Sequence, residues 1–144
     1  MSFREQKMSE VRSKVVVQPF GARQQAIVSF RDTHIIIGKP TIHDTVTELS
    51  PPSDLLLAAL ASDCSFSCQA AARQLNILLN HLTTTARWID TEANEPEAPH
   101  VSIRMSLIGP DRQQSETLIE AIKQTCQTYR LLAPVMFIKL EVIL

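Results

Sequence analysis

The run over residues 51–75, PPSDLLLAALASDCSFSCQAAARQL, constrains this chain more than any other stretch. It is the longest apolar segment, it lies near the middle, and strand-like segments flank it. Leu57, Leu60, Ala61, Cys64, Cys68, Ala71, Ala72 and Leu75 recur at three- and four-residue steps, which puts them on one face of a helix. Leu56, Ala59, Phe66 and Ala70 fall on the other side, so the predicted helix is apolar nearly all round. A helix of that kind is covered by its surroundings rather than laid on a surface. Asp63 stands in its interior, where an uncompensated carboxylate is costly. Asp63 is therefore expected to meet a partner or reach a pocket, and Arg23 is a candidate partner.

The flanks set the fold class. Residues 11–20, 25–30 and 33–37 read as three strands of a small antiparallel meander, with a turn at Gly21 and another at Arg31-Asp32. A polar loop over residues 38–50 leads to the helix, which starts near Pro51 or Pro52 and ends near Leu75-Asn76. Strands follow at 82–89 and 101–107, separated by an acidic loop over 90–99. Asp111 with Gln114 matches a capping box, with Ser115 as a rival cap. The second helix then runs to about Leu132 on a stripe of Leu118, Ile119, Ile122, Cys126 and Tyr129. Ala133-Pro134 stops it, and 136–144 is the last strand. The order βββ-α-ββ-α-β is an α+β pattern with helices packed on antiparallel sheet. The first three strands have little core of their own and call for a partner surface, such as another subunit.

A chain of 144 residues fits one domain, here 11–144 behind a flexible arm at 1–10. Apolar residues at 44% against 20% charged make it globular rather than disordered. A net charge of −1 argues against a nucleic-acid or anionic-membrane surface. No uncharged run reaches the roughly 18 residues of a membrane span, because Asp63 and the serines interrupt the best one. The polar N-terminal residues lack a signal peptide's apolar centre, so a cytoplasmic location is expected. Three cysteines there argue against disulfide stapling. His34, His43, His81 and His100 are scattered, and no phosphate loop or nucleophile elbow is present, so no metal and no cofactor is expected.

The segment PSDLLLAALASDC, from Pro52 to Cys64, resembles the PxELLLAALxxC run of the OsmC/Ohr family, the osmotically inducible protein C and organic hydroperoxide resistance proteins. HIIIGKP upstream and TCQTYRLLA downstream resemble the family's neighbouring segments, and Cys126 falls on the family's second cysteine. Arg23, in FGARQQ, resembles the arginine of the hydroperoxide-resistance branch. The resemblance implies an OsmC-like fold and an intertwined homodimer with two sites at the subunit interface. It implies a small hydrophobic peroxide as substrate. A cysteine thiolate, its pKa lowered by the arginine, attacks the peroxide, and a second cysteine resolves the sulfenic acid as a disulfide.

The spacing departs from that pattern at the reactive position. Counted from Pro52, the family's reactive cysteine falls on Asp63, and Cys64 comes one residue late. One residue turns a helix by about 100°, so Cys64 does not simply take its neighbour's place. Ser53 stands where the hydroperoxide-resistance branch carries an acid, while Asp54 matches the commoner acid of the run; Gln127 stands where a proline usually follows the second cysteine. A carboxylate cannot cycle through a sulfenic acid, although Asp63 can serve as a base or hold a cation. Two readings follow for Cys64, Cys126, Asp63 and Arg23. The first is an OsmC-like domain with impaired or lost peroxidase activity that keeps an interface pocket for a small ligand. The second is an active peroxidase using a displaced Cys64 with Cys126, or Cys68, as resolving cysteine. Cys64 and Cys68 also suit a packing role, since they lie on the core stripe.

Overall fold

Three short β-branched segments build the first sheet of the computed structural model, which describes residues 14–22, 24–39, 51–89 and 100–144. β1 (Val15–Phe20), β2 (Gln25–Phe30) and β3 (Thr33–Gly38) pair antiparallel in that order. Gly21 turns the chain between β1 and β2 at φ 70, a conformation that costs a glycine little. Val28 lies opposite Val17 on one side and Ile35 on the other. All six residues of β1 are nonetheless exposed, so the meander is as poor in core as its sequence implies. The expected arm at 1–10, the start of the first strand at 11–13, most of the polar loop at 40–50 and the acidic loop at 90–99 lie outside the described residues.

Two compact units make up the chain, Met1–Pro52 and Ser53–Leu144, and the meander belongs to the first. The second is led by α1 (Pro52–Gln74). Pro52 occupies the first helical position, and Asp54 and Arg73 match the charge of the two helix ends. Asn76, at φ 53, ends the helix in the left-handed region. Its N–H donates to the Arg73 carbonyl (3.4 Å) and the Ile77 N–H to the Ala72 carbonyl (2.9 Å), which satisfies two of the last carbonyls.

β4 (His81–Ile89), β5 (His100–Ile108) and β6 (Phe137–Ile143) form the second sheet with β5 in the centre. β4 pairs antiparallel with β5, but β6 pairs parallel, with Ile103 opposite Leu140, so this sheet is mixed. A parallel neighbour needs a long crossover, and α2 (Arg112–Thr125) and α3 (Gln127–Leu132) supply it. The capping box at the start of α2 forms as its residues predict. The Gln114 N–H donates to Asp111 Oδ1 (2.8 Å) and the Asp111 N–H to Gln114 Oε1 (3.0 Å). Ser115, the rival cap, instead donates its hydroxyl to the Asp111 carbonyl. The single second helix read from the sequence is two helices, broken at Cys126, whose ψ of 111 leaves the helical region.

The core of the second unit joins three elements. Leu60, Cys64, Cys68, Ala71 and Ala72 of α1 meet Val101, Ile103, Met105 and Leu107 of β5 and Leu118 and Ile122 of α2, with Cys126 closing the cluster. Each fully buried Leu or Ile contributes roughly 1.5–3 kcal/mol. A hydroxyl pair, Ser65 Oγ to Thr84 Oγ1 at 2.6 Å, adds a polar tie between α1 and β4. On the outer side of α1, Leu56 is 37% and Phe66 65% exposed. By length and mean hydropathy (1.4) α1 does meet the requirement for a membrane span, despite Asp63 and the serines. Its inner stripe, however, is committed to the protein core.

Candidate functional site

The inner stripe of α1 brings one of its cysteines to the break between α2 and α3. Cys64 Sγ lies 3.8 Å from Cys126 Sγ, and both thiols are fully buried and free. That separation is contact, well beyond the roughly 2.05 Å of a disulfide. Cys68, one turn further along α1, is also buried and free. α1 is helical without interruption from Pro52 to Gln74, so no bulge carries Cys64 to Cys126. The rotation by one residue does not keep Cys64 out of reach, because positions 63 and 64 both border the same junction.

Asp63 takes the other side of that junction. Its Oδ2 accepts the backbone N–H of Thr128 at 2.9 Å. Thr128 is the second residue of α3, and N–H groups in a helix's first turn have no partner within the helix. Cys126 precedes α3 as its cap residue but makes no side-chain cap bond, so α1 supplies the cap from 65 residues upstream. Among the described residues, the half-buried carboxylate thus has a partner of the kind its place in an apolar helix calls for, at the start of α3. Arg23, the partner and site residue suggested by the sequence, lies outside the described residues.

The electrostatics of the three groups oppose one another. Burial alone would raise the Asp63 carboxyl, but hydrogen bonds from the Thr128 backbone, the Thr128 side chain and the Cys126 side chain outweigh it. The carboxyl is held below its usual value. Cys64 is pushed up strongly, first by burial, then by Cys126 beside it, and further by Asp63 and Cys68. Burial pushes Cys68 up to about 11. Every influence resolved on Cys64 disfavours its thiolate, whereas a reactive cysteine needs a cation and partial exposure.

The site is therefore a buried thiol pair, with Cys64 held protonated, next to an ionised carboxylate. Among the described residues no three His, Cys, Asp or Glu side chains are grouped to hold a metal ion. Two concavities of the second unit, of about 600 and 380 Å³, are lined by the Arg112–Glu120 side of α2 with β6 and by the C-terminal turn of α1 with the start of β4. Asp63, Cys64 and Cys126 line neither. Sequence reasoning picked out three of the side chains now seen at the junction but missed Thr128. The signal for it was present only in TCQT, where a helix that restarts after Cys126 would leave the Thr128 amide unpaired.

Comparisons with known proteins agree with this architecture. No curated protein matches the chain. Among solved structures, an OsmC-like protein from Mycoplasma pneumoniae superposes with a TM-score of 0.77 at 13% identity, over 94% of this chain and 98% of that one. An organic hydroperoxide resistance protein OsmC from Legionella pneumophila gives 0.72 at 16% identity, over 94% and 100%. The organic hydroperoxide resistance protein OhrB of Bacillus subtilis gives 0.71 at 17%, over 94% and 100%. At such identities these likenesses establish the shared fold. The family model described as OsmC-like protein matches residues 48–141, well over half of the sequence, and the chain belongs to the OsmC-like family.

Proposed function

We propose that this protein is an OsmC-like domain, residues 11–144, related to thiol-dependent peroxide reductases, whose peroxidase activity is impaired or lost. Asp63 stands where the family's reactive cysteine is expected. One observation carries the reading: Asp63 is engaged by the start of α3, while the thiol beside it, Cys64, is fully buried and held protonated. Peroxide reduction by cysteine requires a thiolate to attack the O–O bond, leaving a sulfenic acid and an alcohol. Neither the carboxylate nor a protonated buried thiol supplies that nucleophile. The domain acts as a cytoplasmic homodimer that covers the Leu56 and Phe66 side of α1, and its interface pocket takes a small apolar ligand. Nucleic acid and membrane are not its partners.

The 3.8 Å contact favours a second reading, in which Cys64 reduces peroxide and Cys126 resolves it. Counting free thiols on reduced protein before and after an organic hydroperoxide separates the two. Under the first reading all three thiols per chain survive millimolar-range peroxide. Loss of two thiols per chain, abolished by Cys64→Ser, overturns it in favour of the second. Asp63→Cys, run in parallel, is expected to gain the loss of two thiols, because it returns a sulfur to the position beside Cys126.

A further inference from the structure

We propose that α3 is a flap over the Cys64–Cys126 thiol pair and that the Asp63 carboxylate is its latch. α3 has six residues, none of them buried. Helices that short do not hold their shape without tertiary support. Inside α3 the backbone is tied by the Arg130 N–H to the Cys126 carbonyl (3.0 Å) and the Ala133 N–H to the Tyr129 carbonyl (2.8 Å). Its outside attachments are few. Tyr129 and Leu132 rest partly buried against the core, and Asp63 binds the Thr128 N–H. The hinge is already present, because Cys126 leaves the helical region between α2 and α3 while its own N–H still donates to the Ile122 carbonyl (2.8 Å).

Cys126 is the residue on which the flap turns, so opening uncovers its thiol and then that of Cys64, its 3.8 Å neighbour. Cys68 has no share in the latch; burial alone perturbs it, and it sits one turn further into the α1 stripe. The pair and Cys68 are therefore expected to open by different routes. A local opening of low free energy exposes the pair, and only global unfolding exposes Cys68. Access to the dithiol is then set chiefly by the bond from the Thr128 N–H to Asp63, reinforced by the Thr128 and Cys126 side chains on the same carboxylate and by the packing of Tyr129 and Leu132. The thiols remain latent toward small electrophiles until that bond is released. This goes beyond the proposed function and holds whether or not peroxide is reduced.

Reduced protein is treated with iodoacetamide in increasing urea below the unfolding transition, and the rate at each cysteine is read by peptide mass spectrometry. The reagent is kept dilute enough that reclosing outpaces alkylation, so each rate tracks an opening equilibrium. In the wild type, Cys64 and Cys126 should label faster than Cys68, with a rate nearly independent of urea, while Cys68 should follow global unfolding with a steep urea dependence. Asp63→Ala should raise the urea-independent rate of the pair about tenfold, the factor carried by ~1.4 kcal/mol of lost capping. Asp63→Asn, which keeps an acceptor oxygen, should raise it less. The proposal is overturned if all three thiols share one rate and one urea slope. It is equally overturned if Asp63→Ala leaves the urea-independent rate of the pair unchanged, or if Asn and Ala act alike.

Discussion

Asp63 is where a change in one side chain should read out most clearly in stability. Asp63→Ala removes the acceptor for the Thr128 N–H and for the Thr128 and Cys126 side chains. Loss of a capping side chain costs about 1 kcal/mol, within a range of about 0.5–2. The bond here is charge-assisted, which argues for the upper half, while the half-buried position lets water recover part of the loss. The expected cost is about 1.5 kcal/mol, or roughly 5 °C in Tm for a chain of this size. Asp63→Asn keeps an oxygen toward the amide and should cost about 0.5 kcal/mol, since Asn and Asp cap almost equally well. Urea unfolding followed through Trp88 suits the measurement, because it is the only tryptophan and it packs against the core. Protein concentration must be fixed, since association would add to apparent stability. The pH dependence follows from the carboxyl being held below its ordinary 3.8. A group lowered on folding contributes fully above its unfolded value, and the contribution is lost as pH falls through the folded value. The advantage of wild type over Asp63→Asn should stay constant from neutrality to about pH 5, then shrink through 3.8 and below. An advantage that persists undiminished at pH 2, or an Asn variant as unstable as the Ala variant, refutes the capping role.

Two further perturbations probe the frame around the site. Gly109 has a φ of 122, and a Cβ there would run into the Leu78 carbonyl oxygen. Gly109→Ala should therefore cost at least about 2 kcal/mol in thermal unfolding; a loss within about 0.5 kcal/mol would show that the approach of this turn to Leu78 is dispensable. Phe66→Glu places a charge on the outer side of α1, where the phenyl ring is 65% exposed in the single chain and outside the core. Under the proposed homodimer, light scattering after size exclusion should show a shift toward monomer with the circular dichroism unchanged, and no shift would remove that side of α1 from the proposed interface.

The fold was legible because its signals are local and redundant. Val101, Ile103, Met105 and Leu107 alternate with mostly polar neighbours, and all four are buried. The α1 stripe follows three- and four-residue steps, and Leu60, Cys64, Cys68, Ala71 and Ala72 on it are buried. Asp111 and Gln114 announce the start of α2 to the residue. Less legible was whatever depends on distant pairing. β6 carries the same alternation whether it runs parallel or antiparallel to β5, so its direction could not be read from its own residues. The break at Cys126 follows neither a proline nor a glycine. Ile122, Cys126 and Tyr129 continue a helical stripe across it, which is why one helix was expected where two exist. Leu75, counted with the core stripe, is 49% exposed, because the Asn76 turn ends the helix before it can pack.

The site was half legible for the same reason. Periodicity placed Cys64 on the core face and identified Asp63 as a carboxylate in need of a partner, but no local pattern could say that the partner is an amide 65 residues away. The start of α3 presents an unpaired amide, and a negative charge at position 63 satisfies it. At position 64, one residue on, the side chain faces Cys126 and the core instead of an amide, and every resolved influence there raises the thiol's pKa. The two neighbours therefore divide charge and sulfur: Asp63 carries a charge without redox chemistry, and Cys64 carries a sulfur held protonated.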